Sequence, residues 1–108
     1  MSLEVVLTED AARDLEELIG YIGEVDREVA ADRVLDRIAG RLEGLGQLPA
    51  RGAPVRELAT LGIVEYREVF FKPYRVIYRV FDTRVVVFVI TDGQRDLQSL
   101  LERRLVQV

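Results

Sequence analysis

The side chains in this chain that could do chemistry are few, and most of them fall together. None of the 108 residues is His or Cys, which excludes imidazole catalysis, thiol nucleophiles, disulfides and zinc sites built on those ligands. What remains is one constellation: Tyr66 and Glu68 in one β-prone run, Arg75 and Arg79 in the next, and Arg95 beyond them. Residues two apart on a strand share a face, and a hairpin joining the two runs sets Glu68 diagonal to both Arg75 and Arg79. Two chemistries fit such a set. A carboxylate kept ionised by guanidiniums could act as base, a tyrosine as proton donor and the arginines as stabilisers of developing negative charge, a general acid–base set. Alternatively, Glu68 neutralises the arginines in a cross-strand ion-pair cluster, the simpler and preferred reading. Tyr74 and Tyr78 are expected in the core with their hydroxyls at its rim. The glycines of residues 44–52 lack the Gly-Lys-Ser/Thr ending of a phosphate-binding loop. No metal or cofactor site is expected.

The elements that must position these residues follow from the apolar spacing. Residues 3–7 form a short β-prone run, and Thr8 is placed as a helix N-cap with Glu9 and Asp10 in the first turn. Ala11, Leu15, Leu18, Ile19 and Ile22 recur at threes and fours, the stripe of an amphipathic helix. Asp26 can cap a second helix, striped by Val29, Val34, Leu35, Ile38, Leu42 and Leu45. A Gly and Pro cluster over residues 44–54 ends it in a loop. From Ile63 the period changes: residues 63–71, 74–81 and 84–91 are Val, Ile, Phe and Tyr runs parted by two-residue breaks, too close for crossover helices. Asp92-Gly93 stops the last run, and residues 96–106 present Leu97, Leu100, Leu101 and Leu105 as a closing helix. The expected fold is one α+β domain over residues 1–108: an antiparallel sheet with an N-terminal helical hairpin on one face and a C-terminal helix, in the order β-α-α-β-β-β-α.

Strict alternation would then give the sheet two faces. Arg67, Val69, Phe71, Val76, Tyr78, Val80, Val85, Val87 and Val89 would meet the hairpin. Tyr66, Glu68, Phe70, Arg75, Ile77, Arg79, Val86, Phe88 and Ile90 would point away, with only the leucine stripe of the last helix to cover them. An apolar face of that size is expected to receive a partner.

Composition bounds the class of function. An apolar fraction of 49% beside 31% charged residues describes a globular protein. No apolar run reaches membrane-spanning length, and residues 1–10 alternate with acids rather than forming a secretory leader, so a cytoplasmic protein is expected. The net charge of −4 is segregated: residues 1–50 carry 12 acids against 5 bases, residues 51–108 carry 7 against 10. Of the 15 bases all but Lys72 are Arg; a GC-rich genome gives the same bias without any functional cause.

The segments Val55-Arg56-Glu57-Leu58, Tyr66-Arg67-Glu68-Val69 and Tyr74-Arg75-Val76-Ile77-Tyr78-Arg79-Val80, followed by a valine strand and Asp92-Gly93-Gln94-Arg95-Asp96, resemble in order and spacing the RelE/ParE superfamily of bacterial toxins. The resemblance spans nearly the whole chain and implies the same fold. It implies one of two activities. RelE-type members cleave messenger RNA in the ribosomal A site, using strand lysines, arginines and a C-terminal tyrosine. ParE-type members poison DNA gyrase by stabilising its cleaved complex with DNA. Arg75 and Arg95 match the arginines of the first type, but Tyr66 and Glu68 stand where lysines are wanted, and residues 97–108 contain no Tyr. The expectation is therefore a non-catalytic ParE-like toxin, with a ribonuclease using Arg75, Arg95, Glu68 and Tyr66 as the alternative and a toxin-fold protein without toxicity as a third. The resemblance further implies a cognate antitoxin of ribbon-helix-helix type with a disordered tail, and the outward sheet face is where it is expected to dock, on Phe70, Ile77, Val86, Phe88 and Ile90 with Arg75, Arg79 and Arg95 as the rim. It implies gyrase contact through Arg95, Arg103 and Arg104. Neither membrane binding nor direct nucleic-acid binding by the chain alone is expected.

Overall fold

The computed structural model describes residues 2–26, 28–92 and 96–105. The chain opens with strand β1 (Glu4–Leu7) and the hairpin of α1 (Glu9–Asp26) and α2 (Glu28–Gln47). A 3-10 turn (Pro49–Arg51), strand β2 (Ala53–Pro54) and helix α3 (Arg56–Ala59) lead into the meander of β3 (Tyr66–Phe71), β4 (Tyr74–Val80) and β5 (Arg84–Asp92). Helix α4 (Leu97–Leu105) closes it. The expected α+β fold is present, with three additions. The sheet has five strands in the order β1-β5-β4-β3-β2, and β1 runs parallel to β5, so the sheet is mixed rather than wholly antiparallel. The short β2 edge falls where the glycines and prolines predict only loop, and α3 falls just beyond them, ahead of Ile63, where no element is expected.

Local chemistry explains the helix starts. The Ala11 N–H donates to Thr8 Oγ1 at 3.1 Å, and Glu9 and Asp10 occupy the positive end of α1. At α4, Asp96 accepts from the Ser99 N–H at 3.3 Å and from the Ser99 hydroxyl at 2.8 Å. These bonds hold its carboxyl below the usual range.

Two cores form, one on each side of the sheet. On the hairpin side Ala11, Ile38, Leu42 and Leu45 pack against Phe71, Val76, Tyr78, Val85, Val87 and Ile90. On the other side Val55, Leu58, Leu97, Leu100 and Leu101 cover Ile77, Phe88 and Val89. The register explains the one departure from strict alternation. Ile77 pairs with Val89 but Tyr78 pairs with Val87, so Phe88 is an extra residue in β5. A bulge of this kind inverts the pleat beyond it. Val89 consequently turns away from the hairpin and Ile90 turns toward it, the reverse of the expected assignment.

Tyr78 fixes the loop that delivers β2. Its hydroxyl donates to the Pro49 carbonyl at 2.8 Å and accepts from the Gly52 N–H at 2.9 Å. A Cβ on Gly52 would stand 2.5 Å from that oxygen and 2.7 Å from the Glu68 carbonyl, so only glycine fits there. Tyr78 is fully buried, hydroxyl included in the hydrogen-bonded core rather than at an open rim, and burial raises its pKa.

Candidate interaction site

Arg75 sits at the centre of the predicted constellation and is 7% exposed. Its Nε donates to Glu68 Oε2 at 2.7 Å, and its Nη2 also reaches that oxygen. From α3, Glu57 takes the fork of the guanidinium: Nη1 to Oε2 at 2.9 Å and Nη2 to Oε1 at 3.0 Å. The hydrogen bonds from Arg75 hold the Glu57 carboxyl below its usual range, and Glu57 in turn raises the arginine. This is the Glu68–Arg75 half of the ion-pair cluster of the simpler reading, enlarged by a second carboxylate; Arg79 does not join it and lies over the rings of Tyr66 and Phe81 instead. Glu57 escaped the sequence analysis because α3 and the sheet meet only in the folded chain. The available signal was its place in the Val55-Arg56-Glu57-Leu58 segment, which says nothing of what it would face. A guanidinium held by two carboxylates has its charge over-compensated, and the arrangement opposes the approach of a phosphate.

Tyr66 does not join that cluster. Its ring meets Phe88 edge-on at 5.4 Å, and the Arg79 guanidinium carbon lies 5.6 Å from its centre. The same Arg79 lies 4.9 Å from the Phe81 ring centre. Arg79, Phe81, Arg84 and Val86 border an open groove of about 660 Å³ at the β4–β5 turn. Arg95 lies outside the described residues, as does Gly93.

The docking face expected from alternation is largely covered. Ile77 is fully buried and Phe88 is 8% exposed beneath α3 and α4, Arg75 is enclosed, and Ile90 belongs to the opposite core. The cause is twofold: the bulge removes Ile90 from that face, and Leu58 of α3 with Val55 just before it joins the three buried leucines of α4. Phe70, half exposed, and the part-buried Arg79 and Val86 remain accessible from that set.

Arg104 is likewise not a free surface charge. Its Nη1 and Nη2 each bond Asp14 on α1 at 2.6 Å, and Nη1 also reaches the Phe88 carbonyl at 3.2 Å. Asp14 additionally accepts from the Ile90 N–H at 3.0 Å. Beyond the end of β1, these two side chains take the hydrogen bonds that a neighbouring strand would otherwise make with β5. Arg103, by contrast, points to solvent.

Among the described residues no group of three acidic, His or Cys side chains is placed to hold a metal, and no helix is long and apolar enough to cross a membrane.

Residues 5–97 match the family model described as the ParE toxin of the type II toxin-antitoxin system, parDE. No curated protein sequence matches the chain. Among solved structures, the fold resembles a chain of the chromosomal ParDE system of P. aeruginosa, with a TM-score of 0.70 at 17% identity over 84% of this chain and 96% of that one. It also resembles a chain of the RelBE2 toxin-antitoxin complex of Mycobacterium tuberculosis, with a TM-score of 0.62 at 27% identity over 85% and 92%.

Proposed function

The chain belongs to the ParE toxin family of type II toxin-antitoxin systems, and from that premise we propose that it is a non-catalytic inhibitor of DNA gyrase, held in check in the cytoplasm by a cognate antitoxin. The observation that carries the non-catalytic reading is the enclosure of Arg75 by Glu57 and Glu68. A ribonuclease at this place needs a cation open to phosphate and a separate proton donor and acceptor. Here the cation is already neutralised, Tyr66 is turned to Phe88 and Arg79, and the chain has no His. Inhibition by binding asks instead for an accessible surface. Helix α4 offers one in Arg103, which is exposed. Arg104 contributes by fixing α4 to α1 and not by touching the target.

The test is a paired assay on the purified protein. Supercoiling by gyrase should be inhibited, messenger RNA in a translating extract should stay intact, and Arg103→Glu should weaken inhibition while leaving the fold unchanged. A-site cleavage that disappears with Arg75→Ala would replace this reading with the ribonuclease.

A further inference from the structure

Several arginines are spent inside the molecule. Arg75 and Arg104 are closed by carboxylates, Arg13 pairs with Asp10, and Arg67 donates to the carbonyls of Ala50 and Gly52. Arg79 and Arg84 differ from these. They flank the β4–β5 turn, and among the described residues neither makes an ion pair. The Arg79 guanidinium lies over two rings, 5.6 Å from the centre of Tyr66 and 4.9 Å from that of Phe81. Contacts of this kind occupy the face of the group and leave its in-plane N–H donors at the edge for an anion.

The turn itself stands clear of its neighbours. Pairing of β3 with β4 ends at Tyr66 and Arg79, so Val80 and Phe81 run on without a β3 partner. These two side chains are 37% and 39% exposed. With Val86 and Phe88 they line the open groove of about 660 Å³, in which Asp82 is the one acid among the described residues. Phe88 also joins the groove to α4. Its carbonyl accepts from Arg104 at 3.2 Å, and the same last turn of that helix presents Arg103 to solvent. The groove is therefore continuous with the end of α4 and shares its positive charge.

We propose that this groove is where the protein engages gyrase, by taking an acidic, apolar segment of that partner's polypeptide. Apolar side chains of the segment lie on Val80, Phe81 and Val86, and its carboxylates meet the edges of Arg79 and Arg84. The inference rests on the gyrase reading above and adds the surface used and the chemistry it recognises. Guanidinium edges without a carboxylate of their own call for discrete carboxylates, which they bind bidentately. An apolar floor beside them calls for apolar side chains. A nucleic-acid strand fits less well, because its phosphates recur at every nucleotide, whereas Arg79 and Arg84 are parted by a turn that carries Asp82. A second copy of this chain would bring the same arginines against one another across a two-fold axis.

The test measures inhibition of supercoiling together with binding of the chain to assembled gyrase in the absence of DNA. Arg79→Glu/Arg84→Glu and Phe81→Ser should each raise the inhibitory concentration and the dissociation constant at least tenfold at about 0.1 M salt. Arg33→Glu, exposed on α2 at the other face of the sheet, should stay within twofold. Arg84→Glu alone should weaken both at least threefold. Its side chain is exposed, so it reports even where loss of Arg79 disturbs the packing of Tyr66. Wild-type binding should weaken as salt rises. If the wild type inhibits gyrase and folded forms of all three variants inhibit and bind like it, the groove is not the seat and the gyrase reading survives. If the wild type binds free DNA but not gyrase alone, and the double variant loses the DNA, the groove takes a phosphate backbone and the inference is overturned. If the wild type leaves supercoiling untouched, the gyrase reading fails and this inference fails with it.

Discussion

The two faces of the sheet are covered by different means. On one face the hairpin of α1 (18 residues) and α2 (20 residues) carries enough apolar side chain to hold itself down. Ile38, Leu45 and Ala11 are fully buried there, with no ion pair between hairpin and sheet among the described residues. On the other face the cover is α3 with four residues and α4 with nine, lengths that would not persist as isolated helices. Each is fastened by one arginine: α3 through Glu57 to Arg75 of β4, α4 through Arg104 to Asp14 of α1. The comparison teaches where buried charge belongs in a small domain. Desolvating an ion pair gains little over apolar packing, but a removed partner leaves a buried charge uncompensated, so the pair enforces one position for an element that area alone would leave loose.

The comparison breaks most sharply at Arg75. Replacing it with Met keeps the stem but leaves Glu57 and Glu68 facing one another, with Glu68 only 10% exposed. A loss of about 3–5 kcal/mol is expected, the cost of stranding buried charge, read as a lower urea midpoint. A hairpin-face variant such as Ile38→Val should lose about 1 kcal/mol. Equal losses would mean that the cluster is no fastener.

Arg104→Ala is expected to cost less, about 2 kcal/mol, because Asp14 keeps its bond to the Ile90 N–H. Its effect should also be local. Amides of α4 should exchange faster while those of α2 do not change, because α4 would open without the hairpin. Uniform acceleration across both faces would contradict separate fastening.

How much of this was legible in the sequence follows the same division. The hairpin is held by periodic apolar side chains, and spacing at threes and fours reveals it. The meander shows in its Val, Ile and Phe runs, and the Glu68–Arg75 contact follows from cross-strand diagonals. The other face was harder to read because its determinants are not local. The Phe88 bulge is invisible in a run of apolar residues buried on both sides, where no polar residue marks the pleat. Helix α3 is four residues just beyond a stretch punctuated like a loop. Arg104 reads as a surface charge until Asp14, 90 residues earlier, is placed beside it.

The smallest expected effect separates the faces by pH. Glu57 owes its lowered pKa chiefly to the hydrogen bonds from Arg75, against an opposing contribution from burial. A carboxyl whose pKa is lower folded than unfolded binds fewer protons in the native state, so its contribution to stability is complete above the unfolded value, near 4.5. That contribution is lost as pH falls through the folded value. Glu57→Gln removes the titrating group and keeps the shape. The stability gap between wild type and this variant should therefore be widest at pH 7, begin to close near pH 5 and shrink further toward pH 3. Because other acids titrate alike in both proteins, the difference isolates Glu57. The gap between wild type and Ile38→Val, where no titrating group is touched, should stay constant over the same range. A Glu57→Gln gap that is equally flat would mean that α3 is held by Val55 and Leu58 alone, and the contrast between the two faces would reduce to the Asp14–Arg104 pair.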